Sequence, residues 1–373
     1  MIRILHIGMS PNYGGTEAFL MTLYRNVDRN KIQFDFLNVY DTQIACQDEI
    51  IEMGGRIYNL SILRKKSPLT YLYKLNTFFR DIAKKIDAVH IHAQSLVNSE
   101  LLFFAKINNI KVRIIHAHNA GYGVKPNIIQ SLIIRANKYL IKYLATDFFS
   151  CSSLAANWMF ARNARIIKNA IDIEKFKFND ADRTSIRSEY KINKKKLILS
   201  VARLDPQKNS LYLIEIFSTL CEIDNDFVLF IAGDGVLKTT ISNLIKEKGL
   251  EDKVVLLGNR TDINKIMSAA DLFLLPSRFE GLGIVLIEAQ CNGLPCVCSK
   301  DVIPHEVAVT DILSFVSLQD SIHTWKNAII RTLGKKSIDR LLYANVVREA
   351  GYDAEMNSKQ IANIYNNLIY ENK

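Results

Sequence analysis

Residues 269–299 have the sequence AADLFLLPSRFEGLGIVLIEAQCNGLPCVCS, in which a strand, a helix and a second strand follow one another. The apolar runs LFLLPS (272–277) and PCVCS (295–299) predict the strands, and the residues between them predict the helix. The glycines at the helix start and the acids Glu280 and Glu288 are not explained by packing, because a buried helix requires neither glycines nor acids. A ligand that uses backbone N–H groups together with a carboxylate would explain both.

The same alternation fills the rest of the chain in two blocks. The first block has predicted strands at 3–9, 34–40, 88–93, 112–118 and 147–153, and predicted helices at 15–28, 45–53, 68–85, 97–108 and 127–144. The second has predicted strands at 197–205, 227–235, 253–259, 272–277 and 295–299. Between the blocks, 164–176 predicts a strand and an exit into a polar stretch. The fold class is therefore α/β, with two facing Rossmann-like domains, 1–168 and 169–354, and an interdomain cleft.

Composition points to a globular protein with ample core material. Of the 373 residues 49% are hydrophobic, and no run of about 18 apolar residues occurs, which excludes a spanning helix. The start, MIRILHIGM, is too short for the apolar region of a signal peptide and predicts a first strand. The six cysteines have no usual zinc spacing and are expected to be reduced. We therefore expect a cytoplasmic protein.

The positive charge is concentrated in the first half. Residues 1–168 contain 22 lysines and arginines against 11 acids, whereas the remainder contains 26 against 27. Such a field attracts nucleic acid, anionic lipid or phosphorylated ligands, and composition alone does not choose among them.

Ligands of a doubly wound sheet bind beyond the carboxyl ends of the strands. In the second block those ends are followed by RLDPQKN, GDG, NRTD and RFEGLG. The cations Arg203 and Lys208 can neutralise a diphosphate at a glycine-opened helix start. Glu288, just over one turn into that helix, can accept hydrogen bonds from the vicinal hydroxyls of a ribose. The pattern predicts a nucleoside diphosphate, with Glu280 beside a further group such as a sugar.

Several motifs together resemble the retaining glycosyltransferases of family 4, of the bacterial polysaccharide and capsule type, which have the GT-B fold. The motifs are NYGGTEAFL, KNAIDIEKF, VARLDPQKN, GDG, LGNRTDI and the run at 269–299 with its E-x7-E element. The likeness covers nearly the whole chain. One departure is Leu282, where many members have an aromatic residue, so the shape around the sugar is expected to differ.

The resemblance implies a role for each matching residue. Arg203 and Lys208 would bind the donor diphosphate, Glu288 the ribose, and Glu280 the donor sugar. Gly15 would approach the phosphate and His118 the sugar from the first domain. The expected catalytic groups are Glu280, His118, Arg203 and Lys208; the expected donor-binding residues are Gly15, Arg203, Lys208, Gly233, Arg260, Leu282, Gly283, Ile284, Val285 and Glu288.

The expected activity is transfer of a hexosyl unit from a nucleotide-sugar, most simply a UDP-sugar, to a saccharide or lipid-linked saccharide in cell-surface polysaccharide biosynthesis. The cations and helix amides would stabilise the leaving diphosphate, so neither a metal nor another cofactor is expected. No carboxylate nucleophile stands out, and no covalent intermediate is expected. The acceptor would bind the basic first domain, on which a final helix at about 355–373 would pack, as in that fold generally.

Other functions stay open on the sequence. A metal-dependent hydrolase could use the pairs His90/His92 and His116/His118, whose alternation places each pair on one face, although the second half offers no matching ligands. The D-x-D triplets at 180–182 and 224–226 lie away from the strand ends. A nicotinamide-dependent oxidoreductase is disfavoured because no G-x-G-x-x-G follows the first strand. A non-catalytic nucleotide-sugar binder would fold alike.

Two basic segments of the first half, 62–85 and 125–144, mix Lys and Arg with aromatic and aliphatic residues at helical spacing. They are either core-packing helices with solvated basic faces or surfaces that dock on an anionic membrane, which would make the protein peripheral at the inner face. Nucleic acid is disfavoured because no binding motif accompanies the charge.

Overall fold

The chain forms two compact units. The structure, a computed structural model, describes residues 1–60, 67–122, 125–335 and 339–371. The first unit consists of Met1–Ala170 together with Ala354–Lys373, and the second of Ile171–Asp353.

The first unit is built on a parallel sheet. Its strands are β1 (Ile2–Ile7), β2 (Ile32–Asn38), β3 (Ile57–Asn59), β4 (Ala88–Ala93), β5 (Val112–Ala117), β6 (Asp147–Ser150) and β7 (Arg165–Ile166). They lie in the order β3-β2-β1-β4-β5-β6-β7, and every pair is parallel. The order reverses at β1 and β4, where a doubly wound sheet leaves a crevice beyond its carboxyl ends.

The helices that follow these strands begin where the local sequence favours it. They are α1 (Gly15–Asn26), α2 (Gln47–Glu52), α3 (Pro68–Ile82), α4 (Glu100–Ile107), α5 (Ile128–Leu144) and α6 (Ser153–Phe160). Pro68 opens α3, at a position whose N–H has no helical partner in any case. Asn127 caps α5 in a reciprocal capping box with Gln130.

The second unit repeats the design with a sheet of its own. Its strands are β8 (Lys196–Val201), β9 (Phe227–Ala232), β10 (Val254–Gly258), β11 (Leu272–Leu275), β12 (Cys296–Ser299) and β13 (Leu313–Val316). The order is β10-β9-β8-β11-β12-β13, again all parallel. The reversal here lies at β8 and β11. The predicted class, α/β with two parallel sheets, is confirmed.

The helices of the second unit are α7 (Ile173–Phe176), α8 (Asp180–Glu189), α9 (Ser210–Cys221), α10 (Lys238–Glu247), α11 (Ile263–Ala269), α12 (Ile284–Cys291), α13 (Ile322–Leu333) and α14 (Tyr343–Val347). The last helix, α15 (Ala354–Glu371), belongs to the first unit, where Ile361, Tyr365 and Leu368 join the core that contains Phe19 of α1. None of the described helices is both long and apolar enough to cross a bilayer.

Several predicted boundaries are wrong for local reasons. The strand predicted at 147–153 ends at Ser150, because the Ser152 hydroxyl accepts the Ala155 N–H and caps α6. Within 164–176 only two residues pair in the sheet, as β7. The short strands β3 and β13 were not predicted, since three or four residues give too little alternation to detect.

Candidate functional site

The loops beyond β8, β9 and β10 are tied together through their backbones. The Gly233 N–H donates to the Gly258 carbonyl at 2.7 Å, and the Leu204 N–H donates to the Asp234 carbonyl at 3.0 Å. Gly233 has φ +139°, and a Cβ there would lie 1.9 Å from the Ala202 carbonyl oxygen. The predicted donor-site residue Gly233 therefore has a structural role: because it has no side chain, the loop after β9 can pack on the loop after β8.

An ion pair joins the loops that follow β8 and β11. The Lys208 Nζ lies 2.7 and 2.9 Å from the two carboxylate oxygens of Glu280. Ser277 donates its hydroxyl to Glu280 Oε1 at 2.7 Å. Glu280 is buried, with 5% of its surface exposed. Two predicted site residues, 72 positions apart in the chain, thus meet directly, and Ser277 is a third member that the sequence did not reveal.

Two arginines of the predicted site are also paired with acids. The Arg203 Nη2 lies 3.1 Å from Asp205 Oδ2, and its side chain is 57% exposed. Arg260 donates two hydrogen bonds to Asp262, from Nε at 2.8 Å and from Nη2 at 2.7 Å. This carboxylate raises the pKa of the Arg260 guanidinium. The sequence signal was an R-x-D spacing, which the prediction did not use.

Helix α12 begins beside the Lys208–Glu280 ion pair. Gly283 is its N-cap, with φ +83° in the left-handed region that glycine adopts without strain. The Leu286 N–H donates to the Gly283 carbonyl, while the N–H groups of Ile284 and Val285 are the first of the helix and have no intrahelical acceptor. Leu282 is buried with 3% exposure, so it can offer a ligand its backbone rather than its side chain. Such a helix start favours an anion.

Glu288 lies one turn into α12 and is partly buried. Burial raises the pKa of its carboxyl to about 7, against a smaller opposing effect of the Lys175 ammonium. No hydrogen bond or ion pair reaches its carboxylate from the described parts of the chain. The Glu288 carboxylate can therefore accept hydrogen bonds from the hydroxyl groups of a ligand.

The first unit holds the other two predicted residues. Gly15 opens α1, and a Cβ at this position would meet no atom within 4 Å, so the backbone there is openly accessible. His118 directly follows β5, and its backbone N–H donates to the Ala93 carbonyl. These are positions at the carboxyl end of the first sheet.

His118 belongs to a cluster of five histidines in the first unit. His6 of β1 stands opposite His90 of β4, and His92 of β4 stands opposite His116 of β5, so their side chains share one face. One hydrogen-bonded chain joins His6 Nδ1 to His92 Nε2 at 3.0 Å and His92 Nδ1 to His118 Nε2 at 2.8 Å. The sequence prediction missed His6, because only strand pairing brings it to the others.

A second chain runs beside the first. The Tyr365 hydroxyl of α15 lies 2.7 Å from His90 Nδ1, and His90 Nε2 lies 3.3 Å from His116 Nδ1. Burial lowers the pKa of His6 and of His118 to about 3 and holds the pKa of the other three well below the usual range. All five imidazoles are therefore neutral at physiological pH.

Two groups of three histidines, His6–His90–His92 and His92–His116–His118, bring ring nitrogens within 4.8 Å of one another. His90 and His92 stack with centroids 4.2 Å apart at 27°, and the rings of His116 and His118 are tilted by 35° with centroids 4.0 Å apart. Both ring nitrogens of His90 and of His92 are already used in hydrogen bonds to Tyr365, His116, His6 and His118, so each candidate group contains a ring with no lone pair to spare for a metal. The metal-hydrolase alternative has no support.

Comparison with known proteins gives the family. Residues 182–347 match the family model described as Glycosyl transferases group 1. The glycosyltransferase EpsF of Bacillus subtilis (strain 168) is 30% identical over 371 residues, which are 98% of this chain and 96% of EpsF. The UDP-Gal:alpha-D-GlcNAc-diphosphoundecaprenol alpha-1,3-galactosyltransferase of Escherichia coli is 24% identical over 363 residues, covering 91% of this chain and 89% of that enzyme.

Solved structures agree on the fold. HepE of Anabaena in complex with UDP-glucose matches with a TM-score of 0.77 and 19% identity, over 98% of this chain and 100% of HepE. WaaG, a glycosyltransferase involved in lipopolysaccharide biosynthesis, matches with a TM-score of 0.71 and 17% identity, over 97% of this chain and 99% of WaaG. Two parallel-sheet α/β domains of this kind are those of GT-B enzymes. Together with the match over 96% of EpsF, this leads to one conclusion: the chain is a glycosyltransferase and belongs to the group 1 glycosyl transferases.

Proposed function

We propose that this enzyme transfers a hexosyl unit from a UDP-sugar to a saccharide or lipid-linked saccharide in the biosynthesis of a cell-surface polysaccharide. The Escherichia coli relative is named for a UDP-sugar donor and a diphosphoundecaprenol-linked acceptor. A further relative, 24% identical, is named a capsular polysaccharide biosynthesis glycosyltransferase. We also propose membership of family 4, with retention of the anomeric configuration.

The observation on which the donor assignment rests is the arrangement around the start of α12. Arg203, Lys208 and the first N–H groups of α12, at Ile284 and Val285, all follow carboxyl ends of strands in one sheet. These are cationic and N–H groups, which favour a diphosphate. The Glu288 carboxylate, with no partner of its own in the described residues, would accept the two ribose hydroxyls.

In this mechanism the negative charge on the diphosphate increases as the glycosidic bond breaks. Lys208 and Arg203 would be drawn from their acids towards the phosphates and would bind the leaving group more strongly in the transition state than in the ground state. Release of Lys208 would leave Glu280 free to accept hydrogen bonds from the donor sugar. Gly15 and His118 are proposed to contact the phosphate and the sugar. Cations of the chain supply the charge, so no metal is required.

Calorimetric titration of the protein with UDP, GDP and ADP, each in magnesium and in EDTA, tests the proposal. We expect saturable binding of UDP that EDTA leaves unchanged. Binding of none of the three, or binding that requires magnesium, would contradict the proposed site. Binding of GDP or ADP alone would keep the diphosphate site and replace the donor base.

We further propose that α5 docks on an anionic membrane, where a lipid-linked acceptor would lie. Its outer face exposes Ile128 at 81%, Leu132 at 62%, Tyr139 at 74% and Tyr143 at 61%. The Lys142 ammonium lies over the Tyr143 ring, 4.8 Å from its centroid. Aromatic and aliphatic side chains next to cations suit a headgroup interface.

Of the other basic segment, 62–85, residues 62–66 lie outside the described residues; α3 exposes Leu69 at 82%. The docking test is co-sedimentation with phosphatidylglycerol and with phosphatidylcholine vesicles. The double variant Ile128→Ser, Leu132→Ser should release the protein from the anionic vesicles. Ile330→Ser, at a 39% exposed position of α13, is the matched control. Equal binding by the α5 variant and the control would remove the docking proposal.

A further inference from the structure

The turn between β11 and α12 is held from two sides. The Arg278 N–H donates to the Gln207 carbonyl at 2.8 Å, and the Gln207 side-chain amide donates to the Phe279 carbonyl at 3.1 Å. On the other side, the Glu280 N–H donates to the Val302 carbonyl at 3.0 Å. These bonds fix the backbone of the turn, so a change of partner at Glu280 moves its side chain and not its main chain.

The two carboxylate oxygens of Glu280 have different partners. Oε1 accepts hydrogen bonds from the Lys208 ammonium and from the Ser277 hydroxyl, both at 2.7 Å, whereas Oε2 accepts only the Lys208 bond, at 2.9 Å, from the described residues. Exposure rises along this set, because Ser277 is fully buried, the Glu280 side chain is 6% exposed and the Lys208 side chain is 16% exposed. Ser277 therefore lies on the interior side of the carboxylate and Lys208 on the outer side.

We propose that Ser277 is a positioning residue that holds Glu280 Oε1 when Lys208 turns to the diphosphate, so that Oε2 alone accepts a hydrogen bond from a hydroxyl of the donor sugar. This role rests on the proposed function, in which the diphosphate draws Lys208 away from Glu280. Ser277, Glu280 and Lys208 all belong to the second unit, which is also the unit that contains the start of α12.

The departure of Lys208 would otherwise leave the carboxylate free to rotate. The terminal torsion of a glutamate has only a broad preference, so the side chain by itself does not fix the plane of its carboxylate. A buried carboxylate without a donor is also costly. The Ser277 hydroxyl meets both needs, because it donates to a charged oxygen from a fixed backbone and does not depend on Lys208.

Glu280 thereby becomes an acceptor of a different form from Glu288. No hydrogen bond reaches either carboxylate oxygen of Glu288 from the described residues, which suits two vicinal hydroxyls. Glu280 keeps one oxygen for Ser277 and offers the other to the ligand, so it binds a single hydroxyl. An acceptor that is oriented in advance avoids the cost of ordering it during binding.

The first test is the crystal structure of the full chain with and without UDP. In the complex we expect the Lys208 ammonium at the diphosphate and the Ser277 hydroxyl still within hydrogen-bond distance of Glu280 Oε1. A Ser277 hydroxyl that leaves Glu280 together with Lys208, or a Lys208 that keeps both its bonds to Glu280, would overturn this role while the UDP site stands. A protein that binds no UDP would overturn the proposed function itself.

The second test measures UDP release by variants, on the UDP-hexose that the wild-type protein turns over fastest. Ser277→Ala and the nearly isosteric Ser277→Cys, whose thiol is a weak donor, should each lower kcat about tenfold. The affinity for UDP should stay unchanged, because UDP carries no sugar. Ser299→Ala is the matched control, since Ser299 is also fully buried but its hydroxyl has no hydrogen-bond partner among the described residues. Wild-type kcat in both Ser277 variants would contradict the proposal.

Removal of the carboxylate shows whether Ser277 acts through it. In Glu280→Ala the hydroxyl has no carboxylate to hold, so the addition of Ser277→Ala should change kcat by less than about twofold. A tenfold loss in both backgrounds would mean that Ser277 acts through the packing of the turn, and it would overturn the positioning role.

Discussion

The two sheets have corresponding strand orders, but they differ in where their polar groups lie and in whether those groups are neutral or charged. In the first sheet the polar groups of the histidine cluster lie within β1, β4 and β5 and directly after β5, apart from a separate ion pair between Asp35 of β2 and Arg3 of β1. In the second sheet the polar groups lie in the loops after β8, β10 and β11, and they are charged: Arg203 with Asp205, Arg260 with Asp262, and Lys208 with Glu280. The difference follows from desolvation, since a buried imidazole avoids the cost by staying neutral and hydrogen-bonded, whereas a buried carboxylate such as Asp35 needs an ion-pair partner.

The polar groups of the two sheets also differ in how easily they can exchange partners for a ligand. The ion pairs of the second sheet are exchangeable, because an incoming phosphate can replace a carboxylate beside Lys208 or Arg203. The histidines of the first sheet cannot exchange partners without breaking a buried chain, so their state is set by the fold. Acid should therefore lower the stability of the first unit, whereas removal of a cation from the second unit should lower turnover.

The largest expected effect is acid unfolding of the first unit. His6, His90, His92 and His116 have folded pKa values far below 6.5, so below pH 6.5 the unfolded state binds more protons and the free energy of unfolding falls as pH falls. Each such histidine lowers the free energy of unfolding by about 1.4 kcal/mol for each pH unit below 6.5. Above pH 6.5 the contribution is constant. Glu288, whose pKa is raised, acts in the opposite sense between its ordinary value and about pH 7, but it is a single group.

The two tryptophans allow this to be measured unit by unit, since Trp158 lies in α6 and Trp325 in α13. Urea unfolding from pH 7.5 to 5, followed in the single-tryptophan variants Trp325→Phe and Trp158→Phe, should show a steep pH dependence only for the Trp158 signal. His116→Phe should reduce the slope, whereas the exposed control His323→Gln should not. A Trp158 transition that is flat between pH 7 and 5 would show that the cluster does not control stability.

The second effect is on turnover. Lys208→Met should lower kcat/KM by about 100-fold, because the leaving diphosphate loses a partly buried cation. The same change strands the buried Glu280 carboxylate and should cost roughly 3 kcal/mol of stability. Lys238→Met, which removes an exposed partner of Asp234 in the adjacent loop, is the matched control and should change neither.

A double variant separates chemistry from folding in that experiment. Lys208→Met with Glu280→Gln leaves no buried charge, so we expect the stability to recover while the turnover stays low. Recovery of turnover together with stability would mean that Lys208 acts only through the packing of Glu280.

Much of this fold could be predicted from the sequence, because buried parallel strands are apolar runs separated by helical patterns. The rule that ligands lie beyond the carboxyl ends of strands also directed attention to Arg203, Lys208 and α12, whose roles stay predictions. The rest depended on contacts over distance. The Lys208–Glu280 pair spans 72 residues, and His6 joins its partner 86 residues away only through the pairing of β1 with β4.

The smallest effect should be the pH dependence of nucleotide binding. Because the pKa of Glu288 is about 7 in the free protein, only the ionised fraction can accept both ribose hydroxyls strongly, and UDP affinity should rise about tenfold from pH 6 to 8. Glu288→Gln should bind UDP at least about tenfold more weakly at pH 8 and lose this dependence, since an amide does not titrate. Calorimetry on both proteins at pH 6, 7 and 8 measures it, and the ratio of the two affinities cancels the ionisation of UDP itself. A ratio that stays constant over this range would remove Glu288 from the ribose site and leave the charged loops of the second sheet as the remaining support for a nucleotide.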